Sequence, residues 1–381
     1  MNKARSGMMN HRLVLLDGSR LIVEACVRAG ADVYVGYPIT PASLIYAYSS
    51  RRFPVVLPAP DEITALQWMA GLAATGHLPV TATSFPGLAL MIESINMAYM
   101  MELPMLIILV QRLGPATGTA TAGAQGDLLL LDGLISGGHP LPVLSLGGLG
   151  DCWRVPPVAL QTAVALRTPV VLLTSKEEVM TECSFDLAQL TEIRPVQRAW
   201  VAPDSPPAAG VTDRGLVPPL VSLGDPQVQV RLNASTHDAR GIIQHTAAEA
   251  LANTRRLEDK VVAGTPVLYH LDEPAQAETL IVTYGITAGA AREAVMTLRA
   301  QGVNVALLVA GTLLPVPAVY YEIMDRYARV VVAEENRQGQ LARLLFGQRL
   351  PRHVQVVGGL GHMIQPEQIV QAIQLPSTEA Q

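Results

Sequence analysis

The chain has 381 residues, of which 50% are hydrophobic and 15% charged, with a net charge of −5. That length allows two or three domains with a large core, and surplus apolar residues of this kind go into subunit interfaces. The absence of a basic cluster argues against nucleic acid, no apolar stretch reaches the roughly 20 residues of a membrane span, and Cys26, Cys152 and Cys183 are too few and too scattered for a disulfide scaffold or a four-cysteine metal or cluster site in this chain alone.

In chain order, residues 1–11 carry charges but no apolar core of a secretory signal, and read as a tail. The cysteine usage fits a reducing cytoplasm. Residues 12–195 alternate between helical and strand-like patterns. Ser19 to Ala29 has helical period, with Ser19 as candidate N-cap and Gly30 as stop. Val33-Tyr34-Val35 is a strand, Asp61 to Ala74 a helix with an acidic start, and Val80 to Thr83 a β-branched strand. Leu88 to Met101 follows as a helix, Met105 to Val110 as a strand buried on both faces, then Pro142 to Ser145 and Pro169 to Thr174 as strands around a helix from Val158 to Ala165. Such alternation predicts an α/β fold, a parallel sheet with helices on both faces.

Residues 196–275 break the pattern: Pro203 to Pro226 reads as a connector rich in Pro, Gly and Asp, followed by one helix from Gln244 to Lys260. A second α/β domain is expected over 276–375, with strands at Leu280, Val303 and Arg329 and helices at Ala288, Pro317 and Gln338. Residues 376–381 read as a second tail.

Four motifs sit where strand-like runs end, which is where α/β proteins place their chemistry. In Gly36-Tyr37-Pro38-Ile39-Thr40-Pro41, the prolines stiffen the loop and hold the Thr40 hydroxyl in place; a turn whose threonine caps the next helix is the plain alternative. Glu62, in the first turn of its helix, either complements the helix dipole or places a carboxylate at the mouth of the sheet. Its neighbours Ile63, Leu66 and Trp68 would give it apolar surroundings in which to share a proton with a ring nitrogen. Thr83-Ser84-Phe85-Pro86-Gly87 makes the third turn. Arg112 leaves a buried strand and needs an anion or carbonyl, either a substrate carboxylate or a structural partner. A glycine-punctuated loop from Gly114 through Gln125-Gly126-Asp127 follows. His139 reads as a turn residue, and His237-Asp238 and His362 as structural. The chain lacks Gly-x-Gly-x-x-Gly, a P-loop, Gly-x-Ser-x-Gly and His-Glu-x-x-His, so the common nucleotide-binding, serine-hydrolase and zinc-protease readings lose support.

Taken together, Gly-Tyr-Pro-Ile-Thr-Pro, Asp61-Glu62, Thr83 to Glu93, Glu102-x-Pro104, Gln111-Arg112-x-Gly-Pro-x-Thr-Gly and Gln125-Gly126-Asp127 resemble the alpha subunit of 2-oxoacid:ferredoxin oxidoreductases. Thr236-His237-Asp238-x-x-Gly241, Tyr284-Gly285 and Glu335-Asn336-x-x-Gly339-Gln340-Leu341 are similar to the family's later motifs, so the resemblance runs from about residue 15 to 350. It implies a pyrimidine-binding domain of a thiamine diphosphate enzyme followed by a domain like the transketolase C-terminal one. Glu62 would touch N1′ of the cofactor's aminopyrimidine, Pro38, Ser84 and Phe85 would line the cofactor, and Thr40 and Arg112 would hold the substrate carboxylate. The implied reaction is oxidative decarboxylation of a 2-oxoacid to acyl-CoA and CO₂ with reduction of ferredoxin, 2-oxoglutarate leading over pyruvate and branched-chain acids.

The chain lacks a Gly-Asp-Gly motif and cluster cysteines. The resemblance therefore implies a beta subunit that supplies Mg²⁺ binding and a [4Fe-4S] cluster, in an αβ or (αβ)₂ assembly. One departure stands out: Phe85 occupies a position that is glycine in the family's usual Thr-Ser-Gly-Pro-Gly, where a ring would fill space near the reacting centre or push the loop outward. A transketolase-like or dehydrogenase-E1-like half without clusters, and a non-catalytic scaffold subunit, are the competing readings.

Overall fold

The computed structural model describes residues 12–375 except 199–215, 220, 222 and 225–229. Both expected tails and most of the Pro-rich connector lie outside the described residues. The first part of the chain runs β1 (Leu13–Leu16), α1 (Gly18–Arg28), β2 (Val33–Gly36), α2 (Ser43–Arg52), β3 (Val55–Pro58), α3 (Glu62–Ala74), β4 (Pro79–Thr83), α4 (Phe85–Met100), β5 (Met105–Gln111), α5 (Leu128–Asp132), β6 (Val143–Ser145), α6 (Asp151–Leu166), β7 (Pro169–Ser175), α7 (Lys176–Met180) and β8 (Cys183–Asp186). The second runs α8 (Ala248–Gly264), β9 (Tyr269–Asp272), β10 (Thr279–Tyr284), α9 (Thr287–Ala300), β11 (Val305–Ala310), β12 (Thr312–Leu314), α10 (Ala318–Met324), β13 (Arg329–Glu334), α11 (Gln340–Phe346), β14 (Val354–Gly358) and α12 (Pro366–Gln374).

The larger sheet has the order β12-β6-β7-β5-β4-β2-β3. Its members are parallel except β12, which pairs antiparallel with β6. The smaller sheet, β14-β13-β10-β11-β9, is parallel except for β9. The strands β4, β5 and β7 are buried along their whole length, as sheets covered on both faces require. The α/β expectation holds. Because β12 leaves its neighbours in sequence to extend the first sheet, one core runs across both sheets, including Leu109, Val143 and Leu313 from one and Leu280 and Leu308 from the other. Among the described residues no helix is long and apolar enough to cross a membrane.

Several local readings need correction. Asp17, not Ser19, caps α1: its carboxylate accepts the Arg20 N–H at 2.9 Å, while Ser19 is buried and donates to the Val179 carbonyl at 2.6 Å. The start of α4 is Phe85 rather than Leu88, because Pro86 suits a first turn, where its missing N–H costs nothing. The start of α6 is Asp151 rather than Val158, with Pro156 and Pro157 inside it. Two prolines read as a stop, yet burial of Cys152, Trp153 and Val155 holds the early turns in helix. The connector helix begins four residues later than expected, at Ala248.

At the edge where the strands of the larger sheet begin, α8 is fastened by a buried ionic cluster. Glu102, in the turn before β5, meets Arg256 at 2.5 Å and Lys260 at 2.7 Å. Arg167, in the turn before β7, donates to the Glu102 carbonyl, and Lys260 donates to the Arg167 carbonyl. Burial by itself would raise the Glu102 carboxyl, but Lys260 and Arg256 override it and hold it at about 2.

Candidate functional site

The loops after β2, β3, β4 and β5 all leave the carboxyl edge of adjacent parallel strands, so the residues that follow those strands are brought together. Asp61 caps α3 by accepting the Thr64 N–H at 2.7 Å, which frees Glu62 from capping. Glu62 is 6% exposed, and among the described residues no group hydrogen-bonds its carboxylate. It packs against the first turn of α4: a Cβ on Gly87 would stand 2.6 Å from Glu62 Oε1 and 2.1 Å from Thr83 Oγ1. Only glycine allows this approach. Of its expected apolar neighbours Leu66 is buried, while Ile63 and Trp68 are exposed, so the three do not enclose Glu62.

Arg112, at the end of β5, is 6% exposed. Its Nη1 donates to the Thr40 carbonyl, and its Nε has no partner. Burial lowers the pKa of its guanidinium, and Asp127 is the charged group that opposes this. Thr40 does not cap a helix, since α2 begins at Ser43 with no side-chain cap. Ser84 is buried with its hydroxyl unpaired, Phe85 is half-buried at the first position of α4, and Pro38 is exposed on the β2 loop. With Phe85 in place, Ser84 is buried and Gly87 lies against Glu62.

The six expected site residues thus line one edge, Thr40, Glu62, Ser84 and Arg112 with polar groups and Pro38 and Phe85 with apolar ones. Gly87 was not foreseen. Its signal was a glycine just after Pro86, which reads as loop until the helix is known to start at Phe85. The role of Gln125 was also missed. Fully buried, it donates from Nε2 to the Tyr284 carbonyl at 2.8 Å and accepts at Oε1 from Thr287 Oγ1 and the Glu335 N–H, both at 2.7 Å. Asn336 Nδ2 donates to its carbonyl. Gly285, with φ of +58°, leaves room for it. Three motifs far apart in sequence therefore meet at one junction.

His139 packs near the Tyr99 ring, away from this edge. Asp238 organises its own turn, accepting from the Arg240 and Ile242 N–H groups. Among the described residues no group of three or more His, Cys, Asp or Glu could hold a metal ion. A cavity of about 620 Å³ lies between the sheets, lined by Ser145, Arg154, His270 and Arg292 among others, and includes none of Thr40, Glu62, Ser84 or Arg112. The Glu62 edge lies apart from that cavity.

Two family models match the chain. Residues 24–251 match the pyruvate flavodoxin/ferredoxin oxidoreductase thiamine diphosphate-binding domain. The chain belongs to this oxidoreductase family. Residues 277–369 match its pyruvate:ferredoxin oxidoreductase core domain II. Among relatives in the family, 2-oxoglutarate oxidoreductase subunit KorA of Mycobacterium tuberculosis is 32% identical over 336 residues, 86% of this chain and 51% of that protein. Ketoisovalerate oxidoreductase subunit VorB of Methanothermobacter thermautotrophicus is 30% identical, covering 91% and 93%. The chain spans about half the length of the Mycobacterium protein but nearly all of the archaeal one. The 2-oxoglutarate:ferredoxin oxidoreductase of Magnetococcus marinus, solved with 2-oxoglutarate, coenzyme A and succinyl-CoA bound, superposes with a TM-score of 0.88 at 26% identity, over 98% of this chain and 66% of that one. A split-gene transketolase at 16% identity, with a TM-score of 0.52, shares the fold.

The donor set fits thiamine diphosphate, the cofactor of the matched domain. An unpaired carboxylate on a largely buried residue, an unpaired buried hydroxyl and a guanidinium with a free N–H at one edge suit a polar heterocycle and an anionic substrate.

Proposed function

We propose that this chain is the alpha subunit of a thiamine diphosphate-dependent 2-oxoacid:ferredoxin oxidoreductase, converting a 2-oxoacid and coenzyme A to acyl-CoA and CO₂ with reduction of ferredoxin. The observation that carries the reading is Glu62, a residue only 6% exposed whose carboxylate has no partner among the described residues, on the same edge as Arg112. When bound, thiamine diphosphate supplies an electron sink for decarboxylation. Glu62 would hold a proton at N1′ of the cofactor's pyrimidine. The Ser84 hydroxyl, Phe85 and Pro38 would line its place, and the Arg112 fork, with Thr40 beside it, would bind and orient the substrate carboxylate. 2-Oxoglutarate is the favoured substrate, supported by the names of two of the relatives above.

A half-site needs a second wall. Ile63 and Trp68 on α3, Leu90 on α4 and Tyr37 on the β2 loop are large apolar side chains exposed around Glu62. Both helices are apolar on nearly all sides, a pattern that belongs to buried helices. They form the surface for a beta subunit, in an αβ or (αβ)₂ assembly, which would supply Mg²⁺ binding and the [4Fe-4S] cluster that passes electrons to ferredoxin.

The test is purification with the companion chain, followed by dye reduction with thiamine diphosphate and coenzyme A. Reduction that requires 2-oxoglutarate, or failing that pyruvate or a branched-chain 2-oxoacid, is the expected result. No reduction with any of them overturns the assignment.

A further inference from the structure

Asp127 has no task in the scheme above, yet it is placed with care. It is 6% exposed, and its Oδ2 is buried without a partner. The adjoining Gln125 is held by Tyr284, Thr287, Glu335 and Asn336, and the Gly126 carbonyl accepts from Gln340 Nε2 at 2.7 Å. Gln111 Oε1 accepts the Asp127 N–H at 3.3 Å. The second part of the chain thus holds this carboxyl within the field of Arg112, whose Nε is also buried and unpaired. No ion pair closes the gap between them.

We propose that Asp127 is the counter-group of Arg112, and that docking of a 2-oxoacid carboxylate on Arg112 draws one proton from solvent onto Asp127, whose O–H then faces the bound anion as a donor. The identity of the anion rests on the functional reading above. The physical reason is charge balance. One buried guanidinium stabilises one carboxylate well, and two carboxylates sharing it repel, so the more adaptable one is neutralised. Burial already pushes the Asp127 carboxyl up to about 7 against the pull of Arg112. Two other buried carboxyls lie close by, Glu335 just after β13, pushed up to about 7 by burial and accepting the Ile364 N–H, and Glu178 on α7, pushed up to about 8 by burial and accepting the Ser175 N–H, but it is on Asp127 that the charge of Arg112 acts. Tyr284 on β10 is kept neutral by burial, its pKa well above the usual phenol value. Glu334 on β13 is taken up by the N–H groups of Leu341 and Ala342, and Gln340 on α11 is uncharged.

The sign follows. Below pH 7 Asp127 is already protonated and substrate affinity is flat. Above pH 7 binding takes up a proton, so affinity falls with rising pH, by up to about tenfold per unit.

The test uses the chain assembled with its companion. KM for 2-oxoglutarate and pyruvate is measured at pH 6.5, 7.5 and 8.5 in wild type and Asp127→Asn, with calorimetric titration in two buffers of different ionisation enthalpy to count protons. A wild-type KM that rises above pH 7 while kcat moves less, with proton uptake approaching one, and a flat KM with none in Asp127→Asn, is the expected result. A flat wild-type KM, or the same slope in Asp127→Asn, overturns the proposal. If no 2-oxoacid turns over, the functional reading fails separately, and infrared titration of the assembly decides. A protonated-carboxyl band titrating near pH 7 and lost in Asp127→Asn supports the Arg112 pairing when Arg112→Ala shifts it upward. A missing band, or one indifferent to Arg112→Ala, overturns it.

Discussion

The larger sheet carries a glutamate of low exposure at each end of its strands, and the two are treated in opposite ways. Glu102, where the strands begin, is gripped by Arg256 and Lys260 and closes the contact with α8. Glu62, where they end, is exposed over only 6% of its surface, yet its carboxylate oxygens stay accessible and are offered no partner by the described residues. A carboxylate of the first kind holds the fold. One of the second kind is free to meet a group from outside the chain. Close by in the same edge, Ser84 Oγ and Arg112 Nε are buried and unpaired.

The contrast is broken most severely at Glu62. In the assembled protein, Glu62→Gln is expected to lower turnover by about 10²–10⁴-fold, the range for loss of a general acid–base, while assembly by size exclusion and the unfolding midpoint stay near wild type. A variant that turns over normally would remove Glu62 from the chemistry. Glu102→Gln should do the reverse. Leaving Arg256 and Lys260 buried without their anion costs about 3–5 kcal/mol, read by urea unfolding, while turnover per folded molecule is kept. Because the Glu102 carboxyl is held at about 2, below its ordinary 4.5, its contribution is complete at neutral pH and is lost as pH falls from about 4.5 toward 2. The variant should lack that part of the acid-unfolding slope, and an unchanged slope would mean that the cluster is not what secures α8. The smallest effect is expected at Phe85. With the ring half-buried at the start of α4, Phe85→Gly should widen the range of 2-oxoacids accepted, seen as kcat/KM ratios among them moving toward unity, at a stability cost of about 1 kcal/mol for a helical glycine. Unchanged ratios would place the ring outside the substrate's reach.

Much of the edge was legible along the chain. The strand ends before Thr40, Ser84 and Arg112 are marked by β-branched or apolar runs that stop at Gly36, Ser84 and Gln111, and such runs become parallel strands wherever both faces are covered. The acidic pair Asp61-Glu62 announced a helix start, though not which of the two would cap it. What stayed illegible depended on distance. Nothing local marks β12 as a strand of the first sheet, because its three residues, Thr312–Leu314, are strand only by virtue of pairing with β6. Lys260 read only as the last residue of the connector helix, and is a buried cation paired with Glu102.

Sequence alone determined the α/β alternation, the loops that bear chemistry and the residue types on them, since these follow from local periodicity and turn chemistry. Tertiary structure decided which acid is neutralised by its own chain and which is left open, and it brought Gln125, Tyr284 and Glu335 to a single junction that sets Asp127 beside Arg112. Burial and pairing are properties of neighbours in space, and the spacing of residues along a chain does not record them.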